Sequence, residues 1–469
     1  MQAARFDTAV SHDSYEAKSS GAGSGAPQSR SAQWTRRSAL ALLASVTAAG
    51  CGRSGADSDD TAEAAPSIRR DVPLKVAWVG EPSDAEAIRV AWSMAVPQAL
   101  EIEVISPIRE GDSAMMEQIA ERASQVDVAV FPQMAVGAME RTGAVVSFNE
   151  DTLQEYHDRY GKPLPAVQNG LGSYGGHTWG VAIGARLFGV LSIDQEFRPK
   201  TWSEYHDWVQ TLEGRAAEPL ADGWAATSFL NRCASSIERG WLFKRTTLQP
   251  VIDSEDYVAS LTQMIETAGH YEGERKTPRE IWHDLRRGRL RGGIGYEVAT
   301  TAESGSEEAV GEEFAITVAD CPVETQSDQL WFDPQTPLAA VSIGCRQTDA
   351  SKQFIGWLIG GEGIASVREQ VNGLSLTRES ADDDLATSSS YTRWLSQRLQ
   401  TRQVALGLLL PGAAEYYQAL DRQIIRCLNG ELKPGQALQA AATEWQTITD
   451  RLGRSDQIAA WRKTMGLGA

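Results

Sequence analysis

"GGHTWGVAIGARLFGVLSID", Gly175–Asp194, is long, apolar and punctuated by glycine. It reads as a strand that leaves one folded body and enters another, so the chain on either side should belong to two bodies. One residue in it is out of character. Arg186 sits among Val181, Ile183, Leu187 and Val190, and a charge in such apolar company needs a partner.

Upstream of this stretch the pattern alternates. "LKVAWVG" (74–80), "LEIEVISP" (100–107) and "VDVAVFP" (126–132) are short β-type runs. Helical periodicity fills the gaps, over about Ser83–Ala99 and in "DSAMMEQIAERASQ" (112–125), with Asp112 as cap and Met115, Ile119 and Ala123 on one face. Strand, helix, strand, helix, strand implies right-handed βαβ units and a mostly parallel sheet. Downstream, "RPKTWSEYHDWVQTL" (198–212) is a capped amphipathic helix. Thr201 caps it, Glu204 completes a capping box, and Trp202, Tyr205, Val209 and Leu212 form the stripe. "FAITVADCP" (314–322) and "LAAVSIGC" (338–345) are strand-like. "DASKQFIGWLIGGEGIASVREQVNG" (349–373) is helical, with Gly373 as its stop. A last helix in "KPGQALQAAATEWQTITDRLG" (433–453) carries Leu438, Ala441, Trp445, Ile448 and Leu452, and Gly453 closes it.

Composition narrows the function. The chain has 469 residues, 42% of them hydrophobic and 23% charged, as in a soluble globular protein. A net charge of −18 repels phosphate backbones and argues against a nucleic-acid partner. "TRRSALALLASVTAAGCG" (35–52) reads as an export signal: paired arginines, an apolar core too short to span a bilayer, and small residues before a cysteine. Those small residues resemble a lipobox, with Ala48 where leucine is commoner, and Thr35-Arg36-Arg37-Ser38 resembles a twin-arginine signal. An ordinary secretory signal with an incidental cysteine is the plainer alternative. Residues 1–50 are therefore expected to be a signal peptide, Cys51 the lipidated residue, and 51–72 a disordered tether rich in Ser, Asp, Ala and Gly. The other thiols are Cys233, Cys321, Cys345 and Cys427. Cys321 and Cys345, near the ends of two strand-like runs, are the candidate disulfide pair, and buried free thiols are the commoner state.

Catalytic signatures do not appear. There is no nucleophile elbow, zincin motif, P-loop or dinucleotide fingerprint, no Cys-x-x-Cys, and no pair among the six histidines at metal-ligand spacing. Two separated carboxylates could still serve a glycosidase.

The order of segments resembles the bacterial extracellular solute-binding proteins of ABC importers, the maltose-binding-like class known as family 1. "GHTWGVAIGARLFGVLSID" is similar to that family's hinge strand and "PKTWSEYHDWVQTL" to the helix that follows it. "IWHDLRRGRLRGGIGYE" (281–297), "ASKQFIGWLI" (350–359) and "LNGELKPGQALQAAATEW" (428–445) resemble later segments. "NGLSLTRES" (372–380) departs from its counterpart, with Ser375-Leu376 where proline is usual.

The resemblance implies an α/β, periplasmic-binding-protein-like fold of type II, with two lobes joined by hinge strands, each a mostly parallel sheet flanked by helices. Lobe I would be 73–185 plus 322–378, and lobe II 186–321 plus 379–469. It further implies a monomer, lipid-anchored outside the cytoplasm, that delivers a small solute, expected to be a carbohydrate, to the permease subunits of an ABC transporter, without a cofactor or metal. An anchored polysaccharide hydrolase and a surface sensory module are the alternatives.

Candidate cleft residues come from strand ends and hinge strands: Trp78, Glu81, Phe131, Gln133, Arg186, Trp224, Thr227, Tyr296, Glu297 and Trp331. The 14 tryptophans suit sugar binding, although Trp202, Trp208, Trp357 and Trp445 fall on helical stripes and read as core. Trp78 alternates with Val76 and reads equally well as core, and Glu81 and Glu297 read equally well as solvated surface.

The lipidation reading is tested by Cys51→Ser. The variant should leave the membrane fraction or accumulate as uncut precursor, and a variant that fractionates and migrates like wild type rejects it.

Overall fold

The computed structural model describes residues 71–106, 114–194, 196–237, 241–299, 313–324, 329–379 and 388–467. The signal at 1–50, Cys51, all of the tether but its last two residues, and the Asp112 cap lie outside the described residues.

The three early apolar runs form β1 (Leu74–Val79), β2 (Leu100–Ile105) and β3 (Val128–Pro132), with β1 between the other two and parallel to both. Helices Pro82–Ala95 and Ala114–Ala123 make the connections. The stretch Gly175–Asp194 is not one strand. A short hairpin of β4 (Ser173–Tyr174) and β5 (His177–Thr178) leads into β6 (Val181–Ala182), and β7 (Gly189–Ser192) follows a six-residue gap. Farther on come β8 (Ala216–Ala217), β9 (Gly292–Gly295), β10 (Thr317–Ala319) and β11 (Pro337–Val341).

Two main sheets result. The first has the order β2-β1-β3-β11-β6 and the second β10-β7-β9-β8. β6 and β7 therefore belong to different sheets, and residues 183–188 cross between them. The expectation of mostly parallel sheets needs correction, because both are mixed. β11 returns antiparallel to β3 and β6, and in the second sheet only β8–β9 is parallel. A strand that comes back across the boundary re-enters its sheet from the opposite end and so runs the opposite way.

Burial follows the pleat. In β3, Val128 and Val130 join one apolar cluster while Ala129 and Phe131 join the other, as expected for a strand covered on both faces. Leu74, Val76 and Trp78 of β1 all face the former cluster, where Trp92 meets Phe354 edge-on at 5.1 Å. The 349–373 run breaks at Gly361 into helices Thr348–Gly360 and Ile364–Arg368. Helix Pro434–Arg451 does end before Gly453, and a further helix, Arg454–Thr464, begins there. Helix Trp202–Thr211 is capped by Thr201 Oγ1, which accepts from the Glu204 N–H at 3.1 Å. The Glu204 carboxylate reaches the N–H of Lys200, one residue beyond the usual box.

Cys321 and Cys345 are not bonded, and all four described cysteines are free. Each thiol has a partner of its own. Cys321 Sγ donates to the Phe188 carbonyl at 3.4 Å, and Cys345 Sγ lies 3.2 Å from Ser351 Oγ. The two sit beyond strands of different sheets.

An ion pair is enclosed in the second body. Arg232 pairs with Glu218, both almost fully buried. The guanidinium lies 4.1 Å from the Trp202 ring centroid, and Tyr271 donates its hydroxyl to Glu218 at 2.7 Å. Removing one partner strands a buried charge, which costs about 3–5 kcal/mol. Glu218→Ala should lose that much in urea unfolding, and Glu218→Leu combined with Arg232→Met should recover most of it. A loss below about 1 kcal/mol for the single variant would show that the charge is not stranded.

Candidate functional site

The crossing at 183–188 is outside any strand, yet buried, so its polar groups need partners. The segment 373–391 supplies them. Ser375 Oγ accepts from the Ala185 N–H at 2.7 Å and donates to the Ala185 carbonyl at 3.1 Å. Tyr391 does the same at Leu187, accepting at 3.4 Å and donating at 2.8 Å. Thr377 donates to the Ala182 carbonyl. The residue between the two clamped positions is Arg186. A Cβ on Gly184 would overlap the Gly373 carbonyl oxygen, and one on Gly373 would overlap the Arg186 guanidinium. Gly373 also has a φ of +87°, a conformation that glycine adopts at little cost.

A cavity of about 800 Å³ opens beside the crossing. One wall is the segment 365–376, whose Val371 and Leu374 pack into the cluster with Trp78. Tyr296, Glu297 and Trp282 also line the cavity, beyond β9 and on the helix Pro278–Arg286 before it. Arg186 lines the cavity, with its guanidinium 5.8 Å from the Tyr296 ring centroid. Its charge is secure: burial opposes it, but Tyr296, Asp333 and Asp84 hold its pKa above the ordinary arginine value. Glu297 accepts hydrogen bonds from Ser389 Oγ at 2.6 Å and Thr392 Oγ1 at 3.4 Å. Burial pushes its pKa up, against the lowering pull of those hydroxyls and of Arg286.

A second, narrow cavity of about 40 Å³ is lined by Met134, Trp224, Thr227, Asp333 and Tyr417. Trp224 and Thr227 sit at the start of helix Ala225–Ser236, which lacks a cap of its own. Asp421 supplies one from a distant helix, accepting from the Gly223 and Ala226 N–H groups at 2.8 and 3.0 Å. The Trp224 ring is 6.1 Å from Tyr296, and Phe188 stacks on Tyr296 at 5.7 Å. An aromatic group therefore separates the two cavities.

Of the ten candidates, the structure brings Arg186, Tyr296 and Glu297 to the large cavity, and Trp224 and Thr227 to the narrow one. Trp78, Phe131 and Trp331 are packed in the core, at 2%, 1% and 4% exposure. Gln133 is occupied by backbone: it donates to the Gly170 carbonyl at 2.6 Å and accepts from the Gly172 N–H. Glu81 is exposed at the start of the first helix. Sequence reasoning missed Ser375, Ser389, Tyr391 and Trp282. The one signal available was the replacement of proline at Ser375-Leu376, since the hydroxyl that clamps Ala185 is what proline would lack. Among the described residues, no three His, Cys, Asp or Glu side chains converge as metal ligands, and no helix is long and apolar enough to cross a membrane.

No protein-family profile matches the chain, and no curated protein matches it in sequence. Solved structures do match. An ABC transporter solute-binding protein from Agrobacterium vitis, with bound D-mannitol, has a TM-score of 0.59 at 14% identity, over 81% of this chain and 99% of that one. Another from Agrobacterium radiobacter, in complex with ribitol, gives 0.60 at 16%, over 80% and 98%. The cyclic alpha-maltosyl-1,6-maltose binding protein of Arthrobacter globiformis gives 0.54 at 15%, over 81% and 99%. At such identities the likeness is one of fold. The chain has the α/β fold of periplasmic-binding-protein type that the resemblance implied.

The raised pKa of Glu297 gives a pH dependence. Below the ordinary carboxylate range the group is protonated in both states and costs nothing. As pH rises, the unfolded chain releases its proton first, and the cost is complete once pH passes the folded-state value. Glu297→Gln removes that cost. Its melting temperature should exceed that of wild type by about 1–3 °C at pH 7.5, and the gain should shrink towards pH 4. A gain that is constant or grows on acidification contradicts the assignment.

Proposed function

We propose that the chain is the solute-binding component of an ABC importer. It holds a carbohydrate or polyol between lobe I (73–185 and 322–378) and lobe II (186–321 and 379–469), and a lipid on Cys51 tethers it outside the cytoplasm. The observation that carries this reading is the large cavity beside the inter-sheet crossing, where Arg186, Tyr296 and Glu297 converge. Ligand sites favour such boundaries between bodies, with apolar and aromatic walls and a few converging polar groups. Sugars and polyols are the solute class named for the three structures of like fold. In this reading the protein binds and releases its solute unchanged, and the permease subunits are its macromolecular partners.

Calorimetric titration with neutral hexoses, polyols, maltooligosaccharides and sugar acids tests this. We expect saturable one-to-one binding of at least one compound, recovered intact by mass spectrometry. Turnover of a compound would favour the hydrolase, and binding of none would overturn the solute-binding assignment.

A further inference from the structure

The wall of the large cavity runs against the charge of the chain. The whole sequence carries −18, but among the described residues the ionisable side chains lining this cavity are Arg186, Arg286, Arg368 and Arg393 against Glu297 and Glu369. Three of the arginines have protein partners. Arg286 pairs with Glu313, Arg368 donates to the Ile359 carbonyl, and Arg393 donates to that of Ser388. Glu297 is engaged by Ser389 and Thr392.

Arg186 differs from the other three. It is half-buried, lies over the Tyr296 ring, and makes no side-chain hydrogen bond or ion pair with a described residue. Yet the site around it is built. Ser375 and Tyr391 fix the backbone on both sides, and glycine at 373 leaves the guanidinium its space. Asp333 and Asp84 support the charge from a distance, but no carboxylate among the described residues is in contact with the fork, and its unused donors at the cavity wall are what a bound anion would engage. A polyol supplies hydroxyls but no charge, whereas a carboxylate matches the fork in geometry and sign.

We infer that Arg186 is a carboxylate-binding residue and that the solute is a sugar acid, a hexuronate or an aldonate, with Glu297 placed for its hydroxyls. This rests on the solute-binding reading above and narrows it.

The test compares D-glucuronate, D-galacturonate and D-gluconate with D-glucose, D-galactose and D-mannitol, by calorimetric titration and thermal shift on the full mature chain. At least one acid should bind ten-fold or more tightly than its neutral counterpart. Arg186→Gln should weaken that acid about 10–100-fold, the scale of a hydrogen-bonded charge, and bring it level with the neutral compound. Arg186→Lys keeps the charge without the fork and should fall between the two. Because it retains the ion, it carries the test if the glutamine variant does not fold. Arg89→Gln, the same change of charge on an exposed helix outside the cavity lining, should cost less than three-fold. Preferential binding of the neutral compounds, or acid binding that is indifferent to both Arg186 variants, overturns the inference and leaves the solute-binding reading intact. Binding of none of the six to wild type, while a maltooligosaccharide binds, overturns it equally. If no compound of either panel binds, both readings fall.

Discussion

Everything at the boundary of the two sheets depends on one close approach, that of residues 183–187 to residues 373–377. Gly184 lies so close to the Gly373 carbonyl that it has no room for a Cβ, and a Cβ on Gly373 would run into the Arg186 guanidinium. A crossing chain without strand partners leaves its N–H and C=O groups stranded unless something reaches them. Here Ser375, Thr377 and Tyr391 reach them, and the Ser375 N–H donates to the Ile183 carbonyl. Main chain contributes as well, with the Ile183 N–H donating to the Pro337 carbonyl and the Arg186 carbonyl accepting from the Asp333 N–H, but the side chains that clamp Ala185 and Leu187 lie about two hundred residues away in sequence.

That approach places the chemistry. With Ala185 and Leu187 clamped, Arg186 has little freedom except in its own side chain, and the Tyr296 face sets where the guanidinium rests. A second bridge spans the same boundary. Asp84, at the first turn of the helix after β1, accepts from the N–H and side-chain amide of Asn372 at 3.0 and 3.3 Å, and Asn372 Oδ1 accepts from the N–H of Ala299, beyond β9. The short run Asn372–Ser375 thus touches the first helix, the crossing chain and the end of a second-sheet strand. It joins the two bodies without belonging to either sheet. Asp84 is buried, and burial raises its pKa despite the Asn372 hydrogen bond. This bridge therefore keeps a carboxylate in a place that disfavours its charge, between the two halves of the molecule.

What the sequence made legible was whatever leaves a periodic trace. The early βαβ pattern, the capped helix after Thr201 and the helix through Trp445 appear where their apolar spacing puts them. The crossing itself was visible because an arginine broke an apolar run. Strand direction was not, since alternation is the same for parallel and antiparallel pairs, and β11 reads like any buried strand. The candidate site was legible in part for a similar reason. Trp78, Phe131 and Trp331 are aromatic residues near strand ends, and aromatic residues there serve core and cleft equally well; burial decided for core. Ser375 and Tyr391 act on backbone atoms 190 and 204 residues away. No local pattern marks a residue whose partner is a distant carbonyl.

Three arginines show how far residue type alone can go. Each is charged and removed to some degree from water, and each could have been taken for a ligand-binding residue. Arg232 is enclosed with a carboxylate, a tyrosine and an indole face, so its charge is answered within the protein, while one of its nitrogens, Nη1, is buried without a hydrogen-bond partner. Arg378 is buried and donates to the carbonyls of Gly161 and Tyr156, with no carboxylate among the partners described for it; burial lowers its pKa to about 10. Its hydrogen bonds are answered and its charge is not, which suits a residue that ties loops together. Arg186 has an aromatic face beneath it and acids at a distance that keep it protonated, but its side chain makes neither a hydrogen bond nor an ion pair with a described residue. Burial of a charge is tolerated when pairing offsets it, so the difference lies in which partners are absent. A carboxylate in contact ties Arg232 into the second body, whereas the Arg186 fork stands at a cavity wall with no carboxylate in contact among the described residues.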